Sequence, residues 1–286
     1  MKIAVCFVGV TRNYSKYTLD SIQKNLFGVV AKHDPNFKRF AHFNKLEVLT
    51  NQRSREKAVA IDPEEYKLLN CDAVELTDQS LVDQQIDFDY LQQFGNAFND
   101  NFGTLKNVLR QMYSLNCVAD ILERQNTKFD LVIWSRVCLR FYKPIEIPRT
   151  IHPNTIYTPW FERFRGLNDR FSLGDMETML SIFRRRSMVR NFCEETGRPL
   201  GAESYLLWYA RKNGIHTRHL TSMNFSRVRG DGTEKPIKDD LPEKMKFYVK
   251  RGLELTGLRN IEKPSRRDRE RLNARPVKAQ AIQKTL

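Results

Sequence analysis

Arginines follow two strongly apolar segments of the chain, and guanidinium groups are good ligands for phosphate. Arg12 comes just after Ile3–Val10, and Arg136 comes just after Asp130–Trp134. Arg110 lies between them, on the polar side of a long helical pattern. Because each guanidinium offers bidentate bonds to phosphate oxygens, three of them in one place would suit a diphosphate. The alternative is that each arginine is solvated or paired with an acidic side chain.

Carboxyl groups provide the second set of chemically capable residues. Asp169 lies in a polar turn ahead of an apolar segment, where it can act as a general base toward an acceptor hydroxyl or simply shape an Asx turn. Asn168 beside it can hold a ligand in the same turn. Glu203 opens a helical pattern, where a carboxylate can serve as a base or stabilise the helix dipole.

The elements that would position these residues alternate between strands and helices. The uninterrupted apolar segment Ile3–Val10 predicts a buried strand, Ser15–Val30 a helix, Asn101–Arg124 a long helix and Asp130–Trp134 another strand. Shorter strands are predicted at Phe37–Phe43, Leu46–Leu49, Cys71–Leu76 and Thr155–Thr158, and helices at Asp175–Phe183 and Gly201–Asn213. This alternation predicts an α/β fold with a Rossmann-like mixed sheet flanked by helices.

Ligands of open α/β sheets bind outside the carboxyl ends of the strands. Gly9 and Arg12 follow the first strand, Arg136 follows the strand at Asp130–Trp134, and Arg110 and Gln111 lie on the intervening helix. We therefore expect one anion-binding crevice formed by these residues.

Composition limits the class of protein. The 286 residues are 41% hydrophobic, which predicts a globular fold. The length suits one large domain or two small ones, and we assign one domain to residues 1–262. The segment Lys263–Leu286 holds eight Lys/Arg and two Asp/Glu, so a disordered basic tail is predicted there. Five dispersed cysteines predict neither disulfides nor a zinc site and favour a cytoplasmic location. No apolar segment reaches the roughly 18 residues of a membrane span.

The net charge of +14 leaves a second class of function open. A basic protein without enzymatic activity could bind nucleic acid or an anionic surface, through the tail or through Arg184–Arg186 and Arg266–Arg267. No nucleic-acid-binding motif accompanies these arginines. The sequence also lacks GxGxxG, Walker, HExxH and GxSxG motifs, which argues against the corresponding enzyme classes.

An ordered series of segments resembles the small GT-A-like glycosyltransferases of viral and microbial polysaccharide synthesis. The segments are VGVTRNY at 8–14, NQRSREK at 51–57, NDNFGTLKNVLRQMYSL at 99–115, FDLVIWSRVCLRF at 129–141, GLNDRFSLG at 166–174 and GAESYLLWYARKNGI at 201–215. The resemblance covers about residues 1–230. It implies a nucleotide-binding half, an acceptor-binding C-terminal half, and transfer of a sugar from a nucleotide-sugar to a glycan or another hydroxyl acceptor.

Residue roles follow from the resemblance together with the strand-end argument. The donor-binding set would be Gly9, Arg12, Arg110, Gln111, Arg136 and Asn168. The candidate bases are Asp169 and Glu203.

The chain departs from the family at the position of the metal-binding acid. Family members carry Arg-Pro-Asp after the strand, whereas this chain reads Arg136-Val137-Cys138. A thiol is a poor ligand for Mg²⁺ or Mn²⁺, which prefer oxygen. Three alternatives remain: arginines neutralise the diphosphate, the chain is an inactive homologue, or a metal is held through Asp169 or another acid.

Overall fold

The computed structural model describes residues 1–98, 100–234, 245–249 and 252. The strands of this part are β1 (Ile3–Gly9), β2 (Lys38–Lys45), β3 (Val48–Asn51), β4 (Glu56–Ala60), β5 (Ala73–Asp78), β6 (Leu131–Ser135), β7 (Leu139–Phe141), β8 (Thr155–Pro159), β9 (Phe171–Gly174), β10 (His216–Leu220) and β11 (Phe225–Arg227).

The α-helices of the described residues are α1 (Tyr14–Tyr17), α2 (Leu19–Ile22), α3 (Gly28–His33), α4 (Gln79–Gln84), α5 (Phe88–Gln92), α6 (Gly103–Glu123), α7 (Met176–Phe183), α8 (Val189–Thr196) and α9 (Ala202–Lys212). A π-helical segment spans Gln23–Phe27, and 3₁₀ segments span Gln52–Ser54, Glu65–Leu69 and Arg184–Met188.

Seven strands form the central sheet in the order β10-β8-β9-β6-β1-β2-β5. β9 is antiparallel to both of its neighbours, and the other adjacent pairs are parallel. In the part β5-β2-β1-β6, the chain first adds β2 and β5 on one side of β1 and then adds β6 on the other side. Doubly wound nucleotide-binding sheets begin in the same way. The predicted mixed α/β sheet flanked by helices is confirmed, and its strand order is consistent with a Rossmann-like, GT-A-like fold.

The alternating sides of β1 show why its sequence is apolar without interruption. Cys6 and Val8 pack into the core on the side of α6–α9, whereas Val5 and Phe7 pack into the core on the side of α1–α3. Successive strand residues point to opposite faces, so a sheet covered on both faces needs apolar residues at every position.

The predicted long helix is present as α6. Two polar residues on the side opposite its apolar face, Gln111 and Ser114, are buried. Gln111 donates a hydrogen bond from Nε2 to the backbone oxygen of Asp169 at 3.1 Å. Ser114 is fully buried and donates from Oγ to Asn44 Oδ1 at 3.3 Å. These residues therefore satisfy polar groups inside the fold.

The prediction of one helix over Ser15–Val30 is wrong, because the segment divides into α1, α2, a π-helical segment and α3. Thr18 separates the first two helices, with a backbone φ of −129°. Its Oγ1 donates to the backbone oxygen of Val137 at 2.6 Å, which ties the break to the segment after β6. Tertiary hydrogen bonding thus overrides the helical periodicity here.

The predicted tail at 263–286 lies outside the described residues, so the domain boundary at residue 262 stays a prediction. Helices in the described part of the chain are all too short or too polar to cross a membrane. All five cysteines are described, and none of them forms a disulfide.

Candidate active site

A cleft of about 910 Å³ lies at the carboxyl ends of β1 and β6. This is the point where the chain changes direction across the sheet, and such points leave a crevice because the adjacent loops diverge. Gly9 ends β1 at the cleft with a φ of 112°, in the region that favours glycine. Arg136 follows β6, the strand next to β1, and lines the same cleft.

The lining is strongly cationic. The arginines of the lining are Arg12, Arg53, Arg110, Arg136, Arg170, Arg227 and Arg229. The carboxyl groups of the lining are those of Asp169 and Glu203. The excess of guanidinium groups favours an anionic occupant.

Two of the three arginines expected to bind a diphosphate already have carboxylate partners. Arg12 Nη1 lies 2.9 Å from both oxygens of the buried Glu56. Arg110 makes a bidentate pair with Asp83, with Nε at 2.7 Å and Nη2 at 2.6 Å. These two arginines line the cleft, but their charges are already compensated by acidic side chains.

Three other arginines keep unpaired guanidinium groups. Among the described residues, no carboxylate pairs with Arg136, Arg227 or Arg229, and none of the three donates a side-chain hydrogen bond. All three are partly buried at the cleft. They therefore retain donors that can be directed to a bound anion.

Crowding of these cations changes the pKa of one of them. Burial, followed by the charges of Arg170, Arg229 and Arg136, lowers the pKa of Arg227 to about 9. The group still carries its charge at neutral pH. An anion among these arginines would remove the mutual repulsion that lowers the pKa, so anion binding is electrostatically favoured.

Arg53 adds a further cation to the lining of the cleft. Its guanidinium lies 3.5 Å from the centre of the Phe98 ring, and Nη1 donates to Thr104 Oγ1 at 3.2 Å. No carboxylate within the described part of the chain pairs with it. Stacking and the hydroxyl hold the group in place, so its charge remains available to the cleft.

The two candidate bases lie together. Glu203 is the first acidic residue of α9 and Asp169 immediately precedes Arg170, and their carboxyls are hydrogen-bonded to each other. Arg170 contacts both, with Nη1 at 3.3 Å from Asp169 Oδ1 and Nη2 at 3.2 Å from Glu203 Oε1. Asp169 Oδ1 has no hydrogen-bond partner among the described residues, although it is buried at the cleft.

The environment moves the two pKa values apart. Burial, then the negative charge of Asp169, raises the pKa of Glu203 to about 8. Burial also disfavours the charged form of Asp169, but the charges of Arg170, Arg136 and Arg227 outweigh it and hold the pKa of Asp169 below its usual range. The pair therefore holds one proton at neutral pH and titrates as a unit. Such divided carboxyls are typical of acid–base sites.

The other members of the predicted binding set differ in their access to the cleft. Gln111 lines the cleft, with its amide held by the Asp169 backbone. Asn168 is fully buried and is not among the lining residues. Its amide donates to the backbone oxygen of Phe161 at 3.0 Å and accepts from the backbone nitrogen of Arg170 at 2.9 Å. Asn168 therefore shapes the turn that presents Asp169 and Arg170.

The position of the family's metal-binding acid does not suit a divalent cation. Cys138 is buried, and although burial opposes ionisation, Arg136, Arg12 and other arginines lower the pKa of the thiol below its usual value. Within the described residues, no three His, Cys, Asp or Glu side chains come close enough to hold a metal. Asp169 is likewise surrounded by guanidinium groups, which repel cations. The donor set does not fit Mg²⁺ or Mn²⁺.

The basic stretch Arg184–Arg186 does not form a free cationic surface. Arg184 Nη2 lies 2.6 Å from both Asp120 Oδ1 and Glu123 Oε2. Arg185 is fully buried, and Arg186 donates to the backbone oxygen of Gln85. The stretch thus stabilises the fold, whereas Arg266 and Arg267 lie outside the described residues.

The sequence does not predict four of the site residues, which are Arg53, Arg170, Arg227 and Arg229. Two of them carried a detectable signal. Arg227 and Arg229 alternate with the apolar Val228, and alternate residues of an extended segment point to the same side. Arg53 and Arg170 lay in segments that carried the family resemblance, but charge alone did not distinguish them from solvated arginines.

A family model described as a domain of unknown function (DUF7796) matches residues 103–224. This range runs from the start of α6 to the residue before β11 and includes Arg136, Asp169, Arg170 and Glu203. No curated protein sequence matches the chain.

Among solved structures, the chain is similar to apo mouse xyloside xylosyltransferase 1. The sequence identity is 13%, the TM-score is 0.39, and the match covers 77% of this chain and 84% of the other. A TM-score below 0.5 does not establish a shared fold, so the site itself carries the functional argument.

Proposed function

We propose that the protein is a glycosyltransferase that uses a nucleotide-sugar donor. The observation that carries this proposal is the unpaired set Arg136, Arg227 and Arg229 beside the carboxyl pair of Asp169 and Glu203. A diphosphate needs several fixed cationic donors, and a hydroxyl acceptor needs a base close by. The cleft offers both at the switch point of the sheet.

In the proposed reaction the bond between the anomeric carbon and the diphosphate oxygen breaks. The acceptor oxygen forms the new bond to that carbon, and its proton passes to the carboxyl pair. The nucleoside diphosphate leaves with the bonding electrons, and Arg136, Arg227 and Arg229 stabilise its developing charge. These arginines already line the cleft before a donor binds, so the positive charge is present where the leaving group's negative charge forms.

The lining of the cleft supports one of the three alternatives for Cys138, in which arginines neutralise the diphosphate. Arginine-led neutralisation of the leaving group requires cations without acidic partners, and the cleft supplies them. Gly9 and Gln111 line the part of the cleft next to β1 and α6, where we place the nucleoside. The acceptor is a carbohydrate or another hydroxyl compound.

The test is a panel of nucleotide-sugars and nucleoside diphosphates, screened by thermal stabilisation and then by calorimetry. We expect at least one diphosphate to bind and its sugar conjugate to be hydrolysed slowly without an acceptor. Well-folded protein that binds no member of the panel would overturn the proposal. Binding without hydrolysis or transfer to any acceptor would instead identify an inactive homologue.

A further inference from the structure

A second cavity of about 670 Å³ adjoins the cleft. The residues common to both linings are Arg53, Ser54, Arg227 and Arg229. The rest of the second lining consists of Arg55, Glu162, Thr233 and Glu234. One wall of arginines therefore faces both spaces.

The second cavity has an excess of positive charge after its own acids are accounted for. Glu162 pairs with Arg170 at 3.4 Å, and Glu234 pairs with Arg140 at 2.8 Å, so both carboxylates serve arginines outside this lining. In residues 1–98 and 100–234, no carboxylate pairs with Arg55 or with the three arginines of the shared wall. Unpaired guanidinium groups in a concave site favour an anionic ligand.

Arg170 connects this cavity to the proposed reaction centre. Its Nε lies 3.4 Å from Glu162 of the second cavity, while Nη1 and Nη2 contact Asp169 and Glu203 of the cleft. The guanidinium of Arg170 thus lies between Glu162 in the second cavity and the carboxyl pair in the cleft. A molecule in the second cavity would have the proposed base on its cleft side.

We propose that the second cavity binds the acceptor and selects acceptors that carry an anionic group. This inference rests on the proposed function, since an acceptor exists only for a transferase. A phosphate, sulfate or carboxylate of the acceptor would bind Arg55 and the shared arginine wall, with a hydroxyl directed to the carboxyl pair. The space is concave and lined by polar groups, as small-ligand sites usually are.

The experiment uses the full chain saturated with the nucleoside diphosphate that binds best. Calorimetry then compares glucose with glucuronate, glucose 6-sulfate and glucose 6-phosphate, and inorganic phosphate serves as a competitor. We expect the anionic sugars to bind at least about tenfold more tightly than glucose, and the series identifies which anion is preferred.

The diagnostic variant is Arg55→Gln, because Arg55 lines only the second cavity. Arg55 is exposed with a φ of 59°, a conformation that costs glutamine no more than arginine, so the variant should fold. We expect it to weaken anionic-sugar binding about tenfold and to leave diphosphate binding unchanged. Arg149→Gln, at an exposed arginine that lines neither space, should change neither affinity.

The inference would be overturned if glucose and its anionic derivatives bound equally well, or if Arg55→Gln had no effect. Diphosphate binding would in that case still support the proposed function. Absence of diphosphate binding, with anionic sugars still bound through Arg55, would overturn the transferase and with it the acceptor role of the cavity.

Discussion

The buried carboxyls of Asp169 and Glu203 are hydrogen-bonded to each other, and Arg170 lies against both. Arg170 provides the nearest of the positive charges that keep one carboxyl ionised, while the other keeps its proton to about pH 8. The arrangement makes both the stability and the proposed chemistry of the site depend on pH.

Glu203→Gln should remove a loss of stability that the protein otherwise suffers at alkaline pH. The pKa of Glu203 rises from 4.5 to about 8 on folding, so the folded state binds more protons between these values. Its stabilising contribution is present below pH 4.5 and is lost as pH rises through 8. We therefore expect the free energy of unfolding of the variant, relative to that of the native chain, to rise by on the order of 3 kcal/mol from pH 5 to pH 9.

Urea unfolding of both proteins at several pH values measures this difference. Asp169 acts in the opposite sense, because its depressed pKa affects stability only as pH falls below its ordinary value of 3.8. Parallel stability profiles between pH 5 and pH 9 would show that Glu203 is not protonated in the folded protein.

Arg227→Gln and Arg229→Gln should each weaken nucleoside diphosphate binding about tenfold, since each removes an unpaired donor. Arg110→Gln is the matched control, because the charge of Arg110 is compensated by Asp83. We expect the control to change affinity by about twofold or less. Calorimetry at two salt concentrations provides the measurement, and equal losses in all three variants would contradict the assignment.

Glu56→Gln should destabilise the fold by roughly 3–5 kcal/mol, because it leaves the buried Arg12 without its counter-charge. Glu56 Oε1 also accepts from the backbone nitrogen of Gly230 at 2.8 Å. Glu64→Gln is the control, because the Lys67–Glu64 pair is exposed to solvent and should contribute little to stability. Chemical denaturation compares the two, and a small effect at Glu56 would refute the role of the buried pair.

Gly166→Ala should disrupt the site, because an added Cβ would lie 1.8 Å from the backbone oxygen of Glu203. The first turn of α9 would have to move, carrying the Glu203 carboxyl away from Asp169. We expect the free energy of unfolding to fall by on the order of 3 kcal/mol if the turn relaxes, and by more if it does not. Gly214→Ala meets no atom within 4 Å but has a φ of 67°, so its cost should be about 1 kcal/mol. Thermal unfolding distinguishes the two variants.

Removal of divalent metal should leave diphosphate binding unchanged. The surroundings of Cys138 and Asp169 are cationic, and arginines take the place of a metal in the proposed chemistry. Calorimetric titrations in EDTA and in Mn²⁺ should give the same Kd within about twofold. A large gain of affinity with Mn²⁺ would reject arginine-led binding.

The sequence predicts the framework well where the signal is local. β1, α6 and β6 follow from apolar patterns, because their faces are buried against continuous layers of the fold. The break at Thr18 has no such signal, since it depends on a hydrogen bond to Val137, which lies 119 residues away. Long-range polar contacts of this kind leave no local pattern in the sequence.

The same distinction explains the predictions about the site. Gly9, Arg136, Asp169 and Glu203 follow from element ends, and they do line one cleft. The pairing state of an arginine cannot be predicted in this way, because Arg12 and Arg110 meet acids 44 and 27 residues away in the chain. Arg227 and Arg229 reach the cleft from a segment in which the sequence predicts no strand.

The hydrogen bonds of Gly230 have a consequence for how the protein folds. Gly230 donates to Glu56 across 174 residues and accepts from Asn13 across 217 residues. Contacts of such high order form slowly, because a long loop must close before they stabilise anything. During synthesis the N-terminal strands emerge long before this segment does. The cleft is therefore completed late, and a truncated or nascent chain that already has its central strands still lacks the arginine wall.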